Sequence, residues 1–187
     1  MKSSKYLFII LSLMLVITVI INLVIPKLWE MFYPLHYEQE IYHVSEKHDI
    51  DPYLLFSIIK VESKFDSKAV SNSGALGLMQ IMPSTGAWAA NEISIESFEY
   101  DDLLEHKTNL EIGAWYFDYL KNEFNDDLVK TLAAYNAGQG KVREWIETNV
   151  WDGTTEDIES IPYGETRSYI ERVLLNYKRY EDIYSES

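Results

Sequence analysis

The sequence predicts an all-α protein, and three observations lead to that fold class. Hydrophobic residues beyond residue 35 recur at a spacing close to 3.6, which is typical of amphipathic helices. That region has no sustained alternation of apolar and polar residues with hairpin dipeptides, so a β-sheet is not expected. An uncharged segment, residues 6–25, has the length of a membrane-spanning helix. We therefore expect one helical domain behind a single N-terminal transmembrane helix.

The apolar segment contains no charged side chain, and Ser12, Thr18 and Asn22 are its clearly polar members. At about 1.5 Å per helical residue it reaches roughly 30 Å, the thickness of a bilayer's hydrocarbon core. A cleaved signal peptide is the alternative, but its apolar region would be roughly 7–15 residues long and would end in small residues. Residues 22–27 offer no such cleavage site. We predict an uncleaved anchor over residues 6–25.

Charge predicts which way the anchor faces. Lys2 and Lys5 precede the apolar segment, whereas Lys27 is the only basic residue between it and Lys47, so residues 1–5 are expected in the cytoplasm. Residues 26–34 are then a juxtamembrane linker, and residues 35–187 are a domain on the extracytoplasmic side of the membrane. The linker's aromatic residues fit either the outer membrane interface or packing against protein; they are Trp29, Phe32 and Tyr33.

Composition excludes several classes of function. The chain has 187 residues, 30 Asp and Glu against 16 Lys and Arg, and a net charge of −14, so it lacks the basic surface on which nucleic-acid binding depends. It has no Cys, which excludes disulfides, thiolate catalysis and a Cys-ligated metal. The hydrophobic fraction of 47% is sufficient for a buried core.

Local signals place the helices of the outer domain. Pro52 follows Asp51 at the first position of a helix, where a missing N–H costs nothing, and Gly138 fits the end of another. Glycines punctuate a loop over residues 71–77. We expect helices over residues 38–48, 52–64, 108–124, 127–137, 139–148 and 166–184, a short helix from residue 84 or 85, and a loop over 151–164.

One acidic residue lies where a carboxylate is costly. Leu55, Ile58, Ile59 and Glu62 fall at i, i+3, i+4 and i+7, so Glu62 shares the apolar face of its helix. Desolvation raises the pKa of a carboxyl group, which allows it to act as a general acid near neutral pH. The alternative is a helix-end Glu that reaches solvent or pairs with a nearby Lys.

Four sequence blocks give Glu62 a context. In order they are ESKF at residues 62–65, GALGLMQIMP at 74–83, AAYNAG at 133–138 and IPYGETRSYI at 161–170. Together they resemble the signature blocks of the lytic transglycosylases of the soluble, goose-lysozyme-like type. The resemblance covers residues 35–180 and not the anchor. It implies a lysozyme-like helical fold that cleaves the β-1,4 bond between N-acetylmuramic acid and N-acetylglucosamine in peptidoglycan.

The same resemblance implies roles for individual residues. Glu62 corresponds to the single catalytic acid, and the substrate groove is formed by Ser63, Ser71, Gln80, Met82, Tyr135, Asn136, Glu165 and Tyr169. Gln80 can donate and accept toward acetamido groups, and Tyr135 offers a ring face and a phenolic donor. Alternatives remain open: Met82 as a core residue, and Thr166 with Arg167 as residues that fix the last helix to the domain.

The mechanism that the resemblance implies needs one carboxyl group. It first protonates the glycosidic oxygen while the sugar's acetamido carbonyl attacks the anomeric carbon, and its carboxylate then deprotonates the muramic C6 hydroxyl, which closes a 1,6-anhydro ring. A muramidase that uses water and a non-catalytic glycan-binding module are the alternatives. No cofactor is expected, and no metal, since His43 and His48 at i, i+5 do not share a helical face. The expected partners are peptidoglycan strands and the membrane.

Overall fold

The structure is a computed structural model that describes residues 2–185. Its α-helices are α1 (Lys2–Val19), α2 (Ile25–Phe32), α3 (Glu38–Lys47), α4 (Pro52–Glu62), α5 (Pro83–Glu92), α6 (His106–Glu123), α7 (Leu128–Ala137), α8 (Gln139–Glu147) and α9 (Gly164–Tyr184). Short 3-10 helices cover Tyr100–Leu104 and Ile158–Ser160. Residues 2–185 contain isolated β-bridges but no β-strand. The predicted all-α class is confirmed.

The described residues form two compact units, of which one comprises the chain up to Leu35 and from Arg179 onward. In it, α1 continues through a π-helical turn, Ile20–Val24, directly into α2. The resulting helix, Lys5–Phe32, is long and apolar enough to cross a membrane. The expected linker over residues 26–34 is therefore helical as far as Phe32. Pro26 is the second residue of α2 and directly follows the π-helical turn and Ile25.

Aromatic residues hold this first unit together. The Tyr184 hydroxyl donates to the Tyr33 carbonyl at 2.6 Å, and the Tyr180 hydroxyl donates to the Pro34 carbonyl at 3.1 Å. The Arg179 guanidinium lies 5.4 Å from the centre of the Trp29 ring. Trp29 and Tyr33 thus pack against protein, the second of the two roles that their sequence position allowed.

The second unit, His36–Lys178, is built around α6, which packs against α3, α5 and α7. Fully buried apolar side chains from these helices and from α4 form its core, among them Ile41, Leu55, Ile58, Ile59, Ile112, Phe117 and Leu132. The apolar face predicted for residues 55–59 is confirmed as a core face. A short turn, Ile158–Ser160, interrupts the expected loop over residues 151–164.

Local chemistry sets several helix ends. The Asp51 carboxylate accepts the Tyr53 N–H at 2.8 Å, which caps α4 ahead of Pro52 as predicted. This helix ends at Glu62, two residues before the predicted end, because Ser63 leaves the helical conformation at φ −128°. Gly138, at φ +88°, ends α7 at the predicted position and precedes α8.

Candidate active site

Glu62 is the last residue of α4, and its side chain is half-buried. Burial raises the pKa of this carboxyl group to about 7, and the nearby Glu165 carboxylate adds to that rise. The Tyr169 hydroxyl and the Arg172 guanidinium lower the pKa of Glu62 and so offset part of this rise. Near neutral pH, Glu62 therefore exists in both its protonated and its ionised form, as an acid–base group requires.

Two tyrosines on different helices flank this carboxyl group. Tyr169 of α9 is buried, and its hydroxyl approaches Glu62 without a regular hydrogen bond to any residue that the structure describes. The Tyr135 hydroxyl of α7 donates to the Met79 carbonyl at 2.8 Å. Burial and the Glu62 charge raise the pKa of both phenols, so both remain neutral. The Tyr169 hydroxyl is thus directed at Glu62 and is not exposed to solvent.

The glycine-punctuated block is a tight loop held by buried contacts. Its backbone forms isolated bridges between Val70 and Leu76 and between Leu76 and Ile81. The Ser71 hydroxyl accepts the Ala75 N–H at 2.9 Å, so it shapes the loop and keeps its own proton available to donate. Gly77 has φ +75°, and a Cβ there would lie 2.2 Å from the Leu103 carbonyl oxygen. No other residue type fits that position.

Gln80 follows this loop with φ +50°. Its Nε2 donates to the carbonyl of Gly77 at 2.9 Å and to that of Ala69 at 3.2 Å. The expectation that Gln80 both donates to and accepts from acetamido groups is therefore corrected: its donors hold the loop, and Oε1 remains as an acceptor.

A cleft of about 260 Å³ brings two of the four sequence blocks together, residues 74–83 and 133–138, and Glu62 is not among its lining residues. It is lined by Gln80, Ile81, Met82, Thr85, Tyr116, Tyr135, Asn136, Ala137 and Gly138. Met82 is 41% exposed, which excludes the alternative that it is a core residue. A cavity of about 390 Å³ elsewhere, between α3 and α6, has none of these residues in its lining.

The remaining candidates lie outside the lining of the cleft. The Ser63 hydroxyl donates to the Ile59 carbonyl at 3.3 Å, so it is bound to its own helix. Glu165 is exposed in the first turn of α9. The Thr166 hydroxyl donates to Asn136 Oδ1 at 2.7 Å and joins α9 to α7, and Arg167 donates to the Ile161 carbonyl. Thr166 and Arg167 thus fix the last helix, as the alternative reading proposed.

Sequence reasoning missed two residues of the site. Tyr116 lines the cleft, and its ring centre lies 5.6 Å from that of Tyr135. Asn109 of α6 is fully buried; it donates to the carbonyls of Leu76 and Leu103 at 2.9 and 2.8 Å and accepts the Met79 N–H at 2.7 Å. A single polar residue within a helix gives no signal of burial, so Asn109 could not have been identified.

Among residues 2–185, no group of three or more His, Asp or Glu side chains is arranged to hold a metal ion. His48 lies beside Asp118, and the distance from its Nδ1 to Oδ2 is 3.7 Å.

Residues 40–158 match a family model described as the transglycosylase SLT domain. The chain belongs to this family. Glu62, Gln80 and Tyr135 lie within the matched SLT domain, whereas Glu165 and Tyr169 lie in α9 beyond it.

Named relatives agree with this assignment. A soluble lytic murein transglycosylase of Salmonella typhimurium is 36% identical over 153 residues, which cover 79% of this chain and 24% of that protein. The membrane-bound lytic murein transglycosylase D of Escherichia coli is 35% identical over 127 residues, which cover 64% of this chain and 27% of that protein. The aligned part of this chain thus covers about a quarter of the length of each of these relatives.

Solved structures show the same fold. An inactive mutant of the lytic transglycosylase Slt from Pseudomonas aeruginosa, with glutamine in place of a glutamate, matches with a TM-score of 0.74 and 31% identity over 82% of this chain and 25% of that chain. The 70 kDa soluble lytic transglycosylase of Escherichia coli matches with a TM-score of 0.75 and 33% identity over the same shares. The predicted lysozyme-like helical fold is confirmed.

Proposed function

We propose that this SLT domain is the catalytic domain of a peptidoglycan lytic transglycosylase. The observation that carries the proposal is the shielded Glu62 carboxyl group, with its pKa raised to about 7, at the end of α4 in a domain of this family. The named relatives are lytic murein transglycosylases, which supports the same reaction. The substrate is the β-1,4 bond between N-acetylmuramic acid and N-acetylglucosamine.

In the first step, protonated Glu62 gives its proton to the glycosidic oxygen. The bond from that oxygen to the anomeric carbon breaks, and the acetamido carbonyl oxygen of the same muramic sugar bonds to the anomeric carbon. Glycosidases with two carboxyl groups do not need this assistance. Here Glu165, the carboxylate whose charge acts on Glu62, is exposed to solvent, whereas Glu62 is partly buried. The substrate therefore supplies the second catalytic group.

In the second step, the Glu62 carboxylate takes the proton of the muramic C6 hydroxyl. The C6 oxygen bonds to the anomeric carbon as the acetamido oxygen leaves, and this closes the 1,6-anhydro ring without water. Glu62 ends the cycle protonated. A pKa of about 7 suits both steps, because one group must donate a proton and then accept one.

The residues around the acid are assigned to the substrate groove from their free polar atoms. Gln80 Oε1 accepts an acetamido N–H, and the Ser71 hydroxyl donates to the sugar. Tyr169 is assigned to the groove beside Glu62, which its hydroxyl approaches. Met82 and the Tyr135 ring form the apolar floor. Asn136 also lines the groove, Glu165 acts on the charge of Glu62, and Ser63 fixes the end of α4 beside the acid.

Residues 6–25, within the Lys5–Phe32 helix, are assigned to the membrane as an uncleaved, single-pass anchor, with the SLT domain on the cell-wall side. Relatives named as membrane-bound lytic murein transglycosylases C and D support this placement. A protease added to intact protoplasts should remove the domain and leave a small N-terminal fragment. Protection of the whole chain would contradict the orientation.

Product analysis tests the reaction itself. Purified peptidoglycan is digested with the full chain in detergent, and the muramic ends are identified by mass spectrometry before and after borohydride treatment. The proposal predicts anhydro ends, which are lighter than reducing ends by one water and inert to borohydride. Reducing ends alone would show a muramidase. Binding without cleavage would show a glycan-binding module.

A further inference from the structure

Four aromatic residues, none of which has a role in the proposed reaction steps, form a continuous cluster on α5 and α6. They are Trp88, Trp115, Tyr116 and Tyr119, here termed the aromatic ledge. The Trp88 ring centre lies 4.9 Å from that of Trp115 and 4.8 Å from that of Tyr119, with steep interplanar angles of 71° and 84°. Trp115 and Tyr119 are stacked at 5.8 Å. The rings therefore support one another as a unit.

The ledge is not part of the core. Trp88 is 37% exposed, and the other three rings are partly exposed. On the same two helices, the residues that face the core are others, such as Ala89 and Phe117, which are fully buried. A contiguous aromatic surface left in contact with solvent is characteristic of a binding site.

The ledge continues directly from the cleft. Tyr116 belongs to both: it lines the cleft beside Tyr135 and lies 6.2 Å from the Trp88 ring centre. Met82 and Thr85 also line the cleft, and Trp88 lies on α5 six residues after Met82, the residue that immediately precedes this helix. At about 1.5 Å per residue this displaces Trp88 by roughly 9 Å along α5. A chain that lies in the cleft and extends in this direction meets the ledge.

We infer that the aromatic ledge is a distal subsite that binds the glycan strand beyond the sugars at the scissile bond, an inference that rests on the proposed function. Ring faces pack against the apolar C–H faces of pyranose sugars, and the Tyr hydroxyls hydrogen-bond to sugar hydroxyls. A glycan strand is the occupant because the cleft already holds part of it. The contact favours long strands, since binding remote from the reacting bond holds the substrate in place.

The test compares glycan strands of two lengths. The parent is the full chain in detergent carrying Glu62→Gln, so that strands bind without being cut. Dissociation constants are measured by calorimetry for a peptidoglycan tetrasaccharide and a dodecasaccharide. Trp88→Leu should weaken binding of the dodecasaccharide about tenfold, the worth of one well-stacked ring. Binding of the tetrasaccharide should not change. Trp115→Leu provides a second variant with the same expected pattern.

Tyr42→Leu is the matched control. Tyr42 is 37% exposed, like Trp88, but lies on α3 and lines a cavity that shares no residue with the cleft. Circular dichroism establishes that each variant is folded. The inference would be overturned if Trp88→Leu weakened binding of both strands equally or of neither strand. It would also be overturned if Tyr42→Leu weakened binding of the dodecasaccharide as much, or if the parent did not bind the dodecasaccharide. Cleavage of the same strands by the wild-type chain is measured in parallel, so that failure of the proposed reaction is seen separately.

Discussion

The backbone N–H of Met79 donates a hydrogen bond of 2.7 Å to Oδ1 of Asn109, a fully buried residue 30 positions further along the chain. The carbonyl of the same Met79 accepts the Tyr135 hydroxyl. The loop before Gln80 is thus held by α6 on one side and by α7 on the other. Its position is fixed by the packed helices before any ligand arrives, which is how a binding site is made rigid.

Asn109→Ala should be strongly destabilising. The substitution removes the Asn109 side-chain partner of the Met79 N–H and of the Leu103 carbonyl, and one of the two donors to the Leu76 carbonyl, which also accepts the Ile81 N–H at 3.0 Å. The free energy of unfolding should fall by on the order of 3 kcal/mol. Urea denaturation of the two proteins gives this difference. Asn122→Ala in the same helix is the control, because Asn122 is exposed and bonds only to Asp118; a similar loss there would refute the explanation.

Two glycines of the same loop separate crowding from backbone strain. Gly74 and Gly77 both have a positive φ, of +85° and +75°, but a Cβ on Gly74 meets no atom within 4 Å. Gly74→Ala should therefore cost about 1 kcal/mol from strain alone. Gly77→Ala adds a collision with the Leu103 carbonyl and should cost on the order of 3 kcal/mol or more. Thermal unfolding measures both; equal costs would show that space around Gly77 is not limiting.

Glu62 should make folding stability depend on pH. Its pKa is raised from 4.5 to about 7 in the folded chain, so the folded state favours the protonated form. The stability that this group contributes is complete below about pH 4.5 and is lost as pH rises through about 7. Glu62→Gln removes the titration. The variant should match wild type near pH 4 and exceed it near pH 8 by at most about 3 kcal/mol.

Chemical denaturation at both pH values measures this difference. Glu147→Gln is the control, because Glu147 is exposed. The difference in the free energy of unfolding between this variant and wild type should be the same at both pH values. A difference between wild type and Glu62→Gln that stays constant with pH would show that Glu62 is not shielded from solvent as the structure has it.

The sequence predicted the features that depend on neighbouring residues. Local chemistry predicts three of them: the start of α4 at Asp51 and Pro52, the end of α7 at Gly138, and the apolar face that carries Glu62. The extension of the first helix to Phe32 was missed, because a π-helical turn before Pro26 has no signature in the sequence.

Features that depend on contacts between residues distant in sequence could not be predicted from local sequence patterns. The hydrogen bonds that occupy Gln80 Nε2 reach carbonyls as far back as Ala69, and Asn109 bonds to a loop 30 residues away. The meeting of Trp88 with Tyr119 depends on how α5 packs on α6. Periodicity gives the face of each helix but not which faces meet.

The most direct test of the account is the cleavage rate of Glu62→Gln. The variant keeps the shape of the side chain but cannot transfer a proton, so release of soluble fragments from purified peptidoglycan should fall by a factor of about 10² to 10⁴. Circular dichroism and binding to peptidoglycan should remain as in wild type. Glu147→Gln should retain the wild-type rate. A folded Glu62→Gln protein that digests peptidoglycan at close to the wild-type rate would contradict the assignment of Glu62 as the acid–base group.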